Sequence, residues 1–181
     1  MNDFPIPPIA PEFSRPVNVD KLRQGKTSLD VEATEAEREA LAQRFELLSL
    51  DKLSARLVLT KMGGGKLVRL DAHFTATAVQ SCVVTLEPLP VQLADDFTLT
   101  YGLEEERVQS REVIVGEEDD PPEPIIDGLI DVGEAVAEHL SLALDPFPRK
   151  EGVAMPEKFA PRDDDVPHPF AKLAALKDKL K

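Results

Sequence analysis

Cys82 is the only cysteine in the chain, and its neighbours decide what chemistry its sulfur could do. In the stretch SCVVTLEP the residue three positions after Cys82 is Thr85, so the sequence has the outline of a CxxC pair without its second sulfur. Structural zinc requires a closed set of four ligands, and Thr85 cannot supply a second thiolate. We therefore interpret Cys82 as a small apolar residue in a hairpin turn and expect no metal ligands there.

The other groups that could do chemistry are scattered along the chain. Asp71 and His73 share one face of a predicted strand, which could form a weak metal site or acid–base pair, but the solvated face of a half-buried sheet explains them more simply. His139 and His168 lie on a predicted helix and in the tail. The sequence has no GxSxG, HExxH or dinucleotide-binding glycine pattern. We therefore predict no catalytic residues and no cofactor, and an enzyme using Asp71, His73 or Cys82 ranks last among the functions considered.

The glycine run at 63–65 raises the question of a phosphate-binding loop. Such a loop needs a strand before it, a helix N-terminus after it and a Lys-Ser/Thr pair at the junction. Here Lys66 and Leu67 open another predicted strand instead. A hairpin turn, in which glycine permits positive φ, is therefore the predicted role of the run.

Two kinds of periodicity predict the elements that position these residues. Apolar residues alternate in KLSARLVLTKM, KLVRLDAHFTATAVQ and VQLADDFTLTY, which predicts three strands joined as an antiparallel meander. Short strands are also predicted in REVIV (111–115) and PIIDG (124–128), with an extended segment in FSRPVNV (13–19).

Two helices are predicted, each from a capping signal followed by an apolar stripe. Thr34 with Glu37 begins the first, and its stripe contains Ala40, Leu41, Phe45 and Leu48. Asp131 with Glu134 begins the second, Pro146 ends it, and its stripe contains Val132, Val136, Leu140, Ala143 and Leu144. The predicted fold is α+β, an antiparallel β meander or small open barrel packed with two helices and carrying flexible tails.

Clustered prolines predict the domain boundaries. We predict a flexible N-terminal segment (1–12), a folded α+β domain (13–148), a flexible linker (149–167) and a short amphipathic helix (168–181). In that last helix apolar residues share a face with lysines around it, and the residues predicted to bind a partner are Phe170, Leu173, Leu176, Lys172 and Lys177.

The formal net charge of -13 limits the partners that the protein can attract. Nonspecific attraction to nucleic acid comes from Lys and Arg, so a chain this acidic favours basic partners. Glu117, Glu118, Asp119 and Asp120 concentrate negative charge and are also predicted to bind a partner. One cysteine, no signal-peptide pattern and no membrane-length apolar run predict a cytoplasmic protein without membrane association.

Three stretches resemble the YceD family, the large ribosomal RNA accumulation proteins of bacteria and chloroplasts. They are SCVVTLEPLP, DGLIDVGEAVAEHLSLALDPFP and HPFAKLAALK, in this order with a proline-rich linker before the last, and FSRPV is similar to one branch of the family. Many relatives have CxxC where this chain has Cys82 and Thr85. The resemblance implies a non-enzymatic factor that maintains large-subunit ribosomal RNA during processing or assembly.

Two binding functions follow from these features. The first is a ribosome-assembly protein that binds a basic ribosomal protein or a large-subunit precursor through its acidic surface. The neighbourhood of family genes implies a small zinc-type ribosomal protein as a partner. The alternative is direct contact with ribosomal RNA through the basic C-terminal helix.

Overall fold

A computed structural model describes residues 11–102 and 122–153, so the predictions for REVIV and for the terminal segments fall outside the described residues. The described strands are β1 (Pro16–Asn18), β2 (Lys26–Glu32), β3 (Ser49–Met62), β4 (Leu67–Ser81), β5 (Pro88–Gly102), β6 (Glu123–Pro124) and β7 (Leu129–Asp131). The described helices are α1 (Glu35–Arg44) and α2 (Val132–Ala143), with 3-10 turns at Val19–Lys21 and Gly63–Gly65.

The centre of the fold is an open five-stranded sheet in the order β2-β3-β4-β5-β6. Neighbouring strands are antiparallel except β5 and β6, which are parallel, and β1 pairs with β7 in a separate two-stranded sheet. The predicted meander is therefore confirmed in β3, β4 and β5. Among the described strands the sheet does not close into a barrel, so the α+β prediction is confirmed in its open form.

The core lies on one face of this sheet, under both helices. Alternate residues of β4 from Val68 to Ala78 point into it, because side chains alternate across a strand. Phe74 is fully buried, with its ring centroid 6.4 Å from that of Phe97 on β5. Complete burial of one such side chain contributes about 1.5–3 kcal/mol to the free energy of unfolding.

The structure confirms the turn predicted at the glycine run 63–65 but only part of the strand predicted at PIIDG. Gly63, Gly64 and Gly65 all have positive φ between β3 and β4, which confirms the predicted hairpin turn. The predicted strand at PIIDG is only partly correct, because β6 ends at Pro124 and a turn at Asp127 and Gly128 follows, both with positive φ.

The helix starts agree with the sequence better than the helix ends do. Thr34 and Glu37 form the predicted capping box of α1. That helix ends at Arg44, because the chain turns at Glu46 with φ 55°, and the predicted stripe residue Leu48 is 55% exposed. Asp131 caps α2 as predicted, through the amides of Gly133 and Glu134. The predicted second half of that capping box is wrong, because both Glu134 carboxylate oxygens bind the Arg44 guanidinium.

The segment FSRPV fastens the two helices together. The Arg15 guanidinium binds both oxygens of Glu37 on α1, at 2.7 and 2.9 Å. The Arg15 backbone nitrogen donates to Asp131, and the Arg15 carbonyl accepts from the first amide of α2, that of Val132. Only glycine fits at position 133, since a Cβ there would overlap the Phe13 carbonyl oxygen.

The chain divides into two compact units, Met1–Lys150 and Glu151–Lys181, and the elements above belong to the first. The predicted domain boundaries stay predictions. None of the helices in the described residues is long and apolar enough to cross a membrane.

Candidate functional site

The turn that carries Cys82 joins β4 to β5 and is closed by its own backbone. Cys82 is fully buried in this turn. Its amide donates to the Glu87 carbonyl and its carbonyl accepts from the Leu86 amide, both at 2.9 Å. The position in a turn between two antiparallel strands agrees with the prediction from sequence.

The sulfur of Cys82 is in a more polar environment than a small apolar residue needs. Sγ accepts from the backbone amides of Thr85 and Lys150, each at 3.5 Å. The Thr85 side chain and these amides lower the pKa of the thiol to about 6, against the opposing effect of burial, because they stabilise the thiolate. At the position of the second cysteine of a CxxC pair, Thr85 therefore contributes a hydrogen bond from its amide to Cys82 Sγ.

A groove of about 460 Å³ opens beside this turn, between three parts of the chain. The first is the α1–β3 loop with Phe45, Glu46 and Leu47; the second is the Cys82 turn; the third is the end of α2 with its following residues. The lining residues that these parts contribute are Phe45, Glu46, Leu47, Gln80, Ser81, Cys82, Val83, Leu86, Ser141, Leu144, Asp145, Pro146 and Pro148.

Hydrogen bonds hold the parts of this groove in place. The Gln80 side chain donates to the Asp145 carbonyl at 2.9 Å, and the Val83 amide donates to the Pro148 carbonyl at 2.9 Å. Leu86 lies in the left-handed region with φ 60° and is 75% exposed. Phe147, between the lining residues Pro146 and Pro148, is 69% exposed. Hydrogen bonds therefore hold the walls of the groove together, and the apolar lining residues Val83 and Leu86 are exposed to solvent.

Asp71 and His73, the pair considered for metal binding or catalysis, bind different partners on the outer face of the sheet. Asp71 accepts from Arg69 at 2.8 Å and from the Thr98 hydroxyl at 3.0 Å. His73 Nδ1 lies 2.9 Å from Asp96 Oδ1. Within 11–102 and 122–153 no group of three or more His, Cys, Asp or Glu side chains could hold a metal ion. The geometry is that of a solvated sheet face with cross-strand polar pairs.

His139 also has a structural position. Its ring stacks on Phe97 with a centroid distance of 3.7 Å and an interplanar angle of 3°. Burial lowers its pKa, while the charge of Asp95 raises it. The stacked imidazole ring therefore helps to hold α2 against β5, which is a structural role.

Acidic side chains gather where β5 ends and β6 begins. Gly102 and Pro122 pack against each other, and Tyr101 pairs with Glu123, so the residues that flank segment 103–121 on its two sides lie together. Burial raises the pKa of Glu138 on α2, and the negative charges of Glu134 and Glu123 raise it further. We call Glu123, Glu134 and Glu138 the acidic patch, in which the charge of Glu134 is compensated by its ion pair with Arg44.

The residues predicted to bind a partner lie outside the described residues. These are Glu117, Glu118, Asp119, Asp120, Phe170, Leu173, Leu176, Lys172 and Lys177. The groove beside Cys82 was missed because its walls come from residues about 40 and 100 positions apart along the chain, which periodicity cannot bring together. The turn itself was the available signal, since Val83 and Leu86 are apolar residues in a loop.

The comparison with protein families gives one match. The family described as Large ribosomal RNA subunit accumulation protein YceD matches residues 70–177, which is more than half of the chain. The matched range begins in β4 and contains the Cys82 turn, β5 and α2. No curated protein and no solved structure matches the chain.

Proposed function

The chain belongs to the YceD family of large ribosomal RNA subunit accumulation proteins, and from this membership we propose that it binds a basic ribosomal protein or a large-subunit assembly intermediate in the cytoplasm. A role in the accumulation of large-subunit ribosomal RNA comes with the family. Binding to a protein partner, without catalysis of a reaction, is the mechanism that we propose for that role.

The observation that carries this proposal is the concentration of acidic residues in one segment of the sequence. Segment 103–121 contains eight acidic residues and two arginines. The residues that flank this segment, Gly102 and Pro122, pack against each other. In the acidic patch the pKa of Glu138 is raised by burial and, further, by the charges of Glu134 and Glu123. In the sequence, negative charge is therefore concentrated in this segment of a chain with a net charge of -13.

Such a charge distribution acts mainly on association. Opposite charges raise the association rate of two proteins, and salt weakens the effect because the Debye length is about 8 Å at physiological ionic strength. Ribosomal proteins that contact RNA carry many Lys and Arg residues, because those residues neutralise phosphates. An acidic factor therefore binds the same side chains before they reach the RNA.

A tagged copy purified at low salt tests the proposal. We expect ribosomal proteins or large-subunit precursors to co-purify, and neutralising Glu117, Glu118, Asp119 and Asp120 to amides should reduce their yield. Asp20, Glu32, Glu39 and Asp51 are exposed acids and form a matched control set, which should leave the yield unchanged. Equal losses from both sets would mean that only net charge matters.

Direct contact with ribosomal RNA remains the alternative function. The sequence of the terminal segment favours it, since Lys172 and Lys177 accompany apolar residues there. Treating the purified complex with ribonuclease separates the two functions. A protein partner that stays bound after the RNA has been digested supports our proposal, and loss of all partners supports direct RNA binding.

A further inference from the structure

We propose that the groove beside Cys82 binds a basic amphipathic helix of a partner protein, with an apolar side chain of that helix seated between Leu86 and the end of α2. This inference rests on the proposed function, because it assigns a second contact to the same kind of partner. It concerns a different surface from the acidic patch, so the two can be tested separately.

Exposed apolar side chains are the first observation. Val83 and Leu86 line the groove and are 47% and 75% exposed, and Phe147, which is 69% exposed, lies between the lining residues Pro146 and Pro148. Single exposed apolar residues are ordinary on protein surfaces, whereas several around one depression mark a binding site. An apolar depression with large side chains at its edge suits the anchor residues of an amphipathic helix.

Backbone conformation is the second observation. Among the described residues, Glu46, Leu86 and Asp127 are the non-glycine residues with positive φ, and the first two line the groove. Leucine rarely adopts this region, since its Cβ approaches the backbone closely there. Strained residues persist where the surrounding structure fixes them and cluster at ligand-binding positions. At Leu86 this conformation places a large apolar side chain in solvent, where it contributes little to the core.

Charge is the third observation and selects the partner. The charged residues that line the groove are Glu46 and Asp145, both acidic. At the turn, Lys150 pairs with Glu87 at 2.9 Å, so its positive charge is compensated. An apolar groove with two carboxylates at its walls is complementary to apolar side chains flanked by Lys or Arg. The groove therefore fits a basic helix better than an acidic or neutral one.

A peptide titration of the full chain tests the inference. The probe is a synthetic helix of leucine and lysine, with leucines at i, i+3, i+4 and i+7, and binding is measured by fluorescence anisotropy. The same peptide with alanine in place of leucine keeps the charge and removes the anchors. We expect the leucine peptide to bind and the alanine peptide to bind about tenfold more weakly or not at all.

Variants of the protein locate the site. Leu86→Asn with Phe147→Ser should weaken the leucine peptide about tenfold while the melting temperature stays unchanged, since both side chains are exposed and asparagine tolerates positive φ. Ile126→Ser is the matched control, because Ile126 is 66% exposed and does not line the groove. The double variant Glu46→Gln with Asp145→Asn should make binding of the leucine peptide less dependent on salt concentration. The side-chain carbonyl introduced by Asp145→Asn can still accept from the Phe147 amide, as the carboxylate of Asp145 does.

The outcomes separate this inference from the proposed function. Equal binding of the leucine and alanine peptides, or equal losses in the Leu86 and Ile126 variants, would overturn the groove proposal. Peptide binding that appears only after residues 161–181 are deleted would also overturn it, in favour of the chain's own terminal segment as occupant. If precursors co-purify normally with the Leu86 and Phe147 variant, the groove proposal fails and the proposed function stands.

Discussion

Among single residues, Cys82 shows how an incomplete motif acquires a different role. The backbone amides of Thr85 and Lys150 hydrogen-bond to the sulfur. The neighbouring Thr85 side chain and these amides together lower the pKa of the thiol to about 6. Donors of this kind stabilise a thiolate, although position 85 holds a threonine and not the second cysteine of a CxxC pair. Sequence reasoning placed Cys82 in a turn correctly, but it missed these amides because backbone donors have no sequence signal.

The first prediction concerns the titration of this thiol. In the folded protein the ultraviolet absorbance of the thiolate should appear with a midpoint near pH 6, against about 8.5 in urea-unfolded protein. A folded pKa below the unfolded value means that the thiolate adds stability above the unfolded pKa, and this is lost as pH falls through about 6. Thr85→Val should raise the midpoint, and Cys82→Ser should abolish the signal. Identical midpoints in folded and unfolded protein would contradict the assignment.

The second prediction concerns Glu37, whose pKa is lowered to about 2, mainly by its hydrogen bonds with Arg15. Glu37→Gln keeps the capping-box geometry and removes the charge, so it should reduce the free energy of unfolding at pH 7 by about 1 kcal/mol. A carboxyl group whose pKa is lowered by folding stabilises the fold at pH values above its unfolded-state pKa of about 4.3. The difference from wild type should therefore shrink as pH falls from there toward 2.

Urea unfolding at several pH values measures this difference. Glu39→Gln is a control on the same helix, since Glu39 is exposed, and it should change the free energy of unfolding by less than about 0.5 kcal/mol. If Glu37→Gln lowers the free energy of unfolding equally at pH 7 and near pH 2, the loss comes from packing and not from the ion pair with Arg15.

Among the elements, strands with strict alternation could be predicted from sequence, and short or polar ones could not. The alternation of β3, β4 and β5 matches their burial, because one face of each packs on the core. Strand β2 was missed, although Thr27, Leu29 and Val31 alternate in KTSLDVE, since four polar residues separate and flank these three. The pairing of β1 with β7 joins residues more than 100 positions apart, and no local pattern encodes it.

The third prediction tests the junction of α2 with the FSRPV segment. Gly133 lies in the first turn of α2, and a Cβ there would overlap the Phe13 carbonyl and come within 2.9 Å of the Arg15 backbone nitrogen. Both are backbone atoms that cannot move alone, so Gly133→Ala should cost about 3 kcal/mol of unfolding free energy. Chemical denaturation measures the loss.

Ser141→Ala on the same helix provides the comparison. Ser141 is exposed, and alanine has the higher helix propensity, so this variant should be neutral or slightly more stable than wild type. A Gly133→Ala protein as stable as the Ser141→Ala protein would mean that the helix and the FSRPV segment move apart at little cost.

For the whole molecule, the fold class and the acidic character could be predicted from the sequence, whereas the groove could not. The groove forms only when the α1–β3 loop, the Cys82 turn and the end of α2 meet. Its hydrogen bonds, such as Gln80 to Asp145, join residues that no periodicity relates. Binding sites of this kind depend on tertiary packing. The charge of a single sequence indicates the class of partner, but the sequence does not indicate where on the surface that partner binds.

The last prediction concerns the terminal segment, whose basic and apolar residues are predicted to bind a ribosomal partner. The described core contains residues from Phe13 to Leu140 and draws on the sheet and both helices. A core of this extent should fold without the segment, since a short amphipathic helix is marginal in water and gains its order from a partner. Deleting residues 161–181 should therefore leave the melting temperature unchanged and abolish association with ribosomal precursors.

Sedimentation of cell extracts, together with thermal unfolding of the purified protein, measures both parts of this prediction. Phe170→Ala in the full chain should reproduce the loss of association if Phe170 is the anchor, while Lys179→Ala, outside the predicted contact set, should change it little. A large fall in melting temperature on deletion would instead make Phe170 and Leu173 part of the core. Unchanged association would leave the acidic patch and the groove as the surfaces through which the protein reaches its partner.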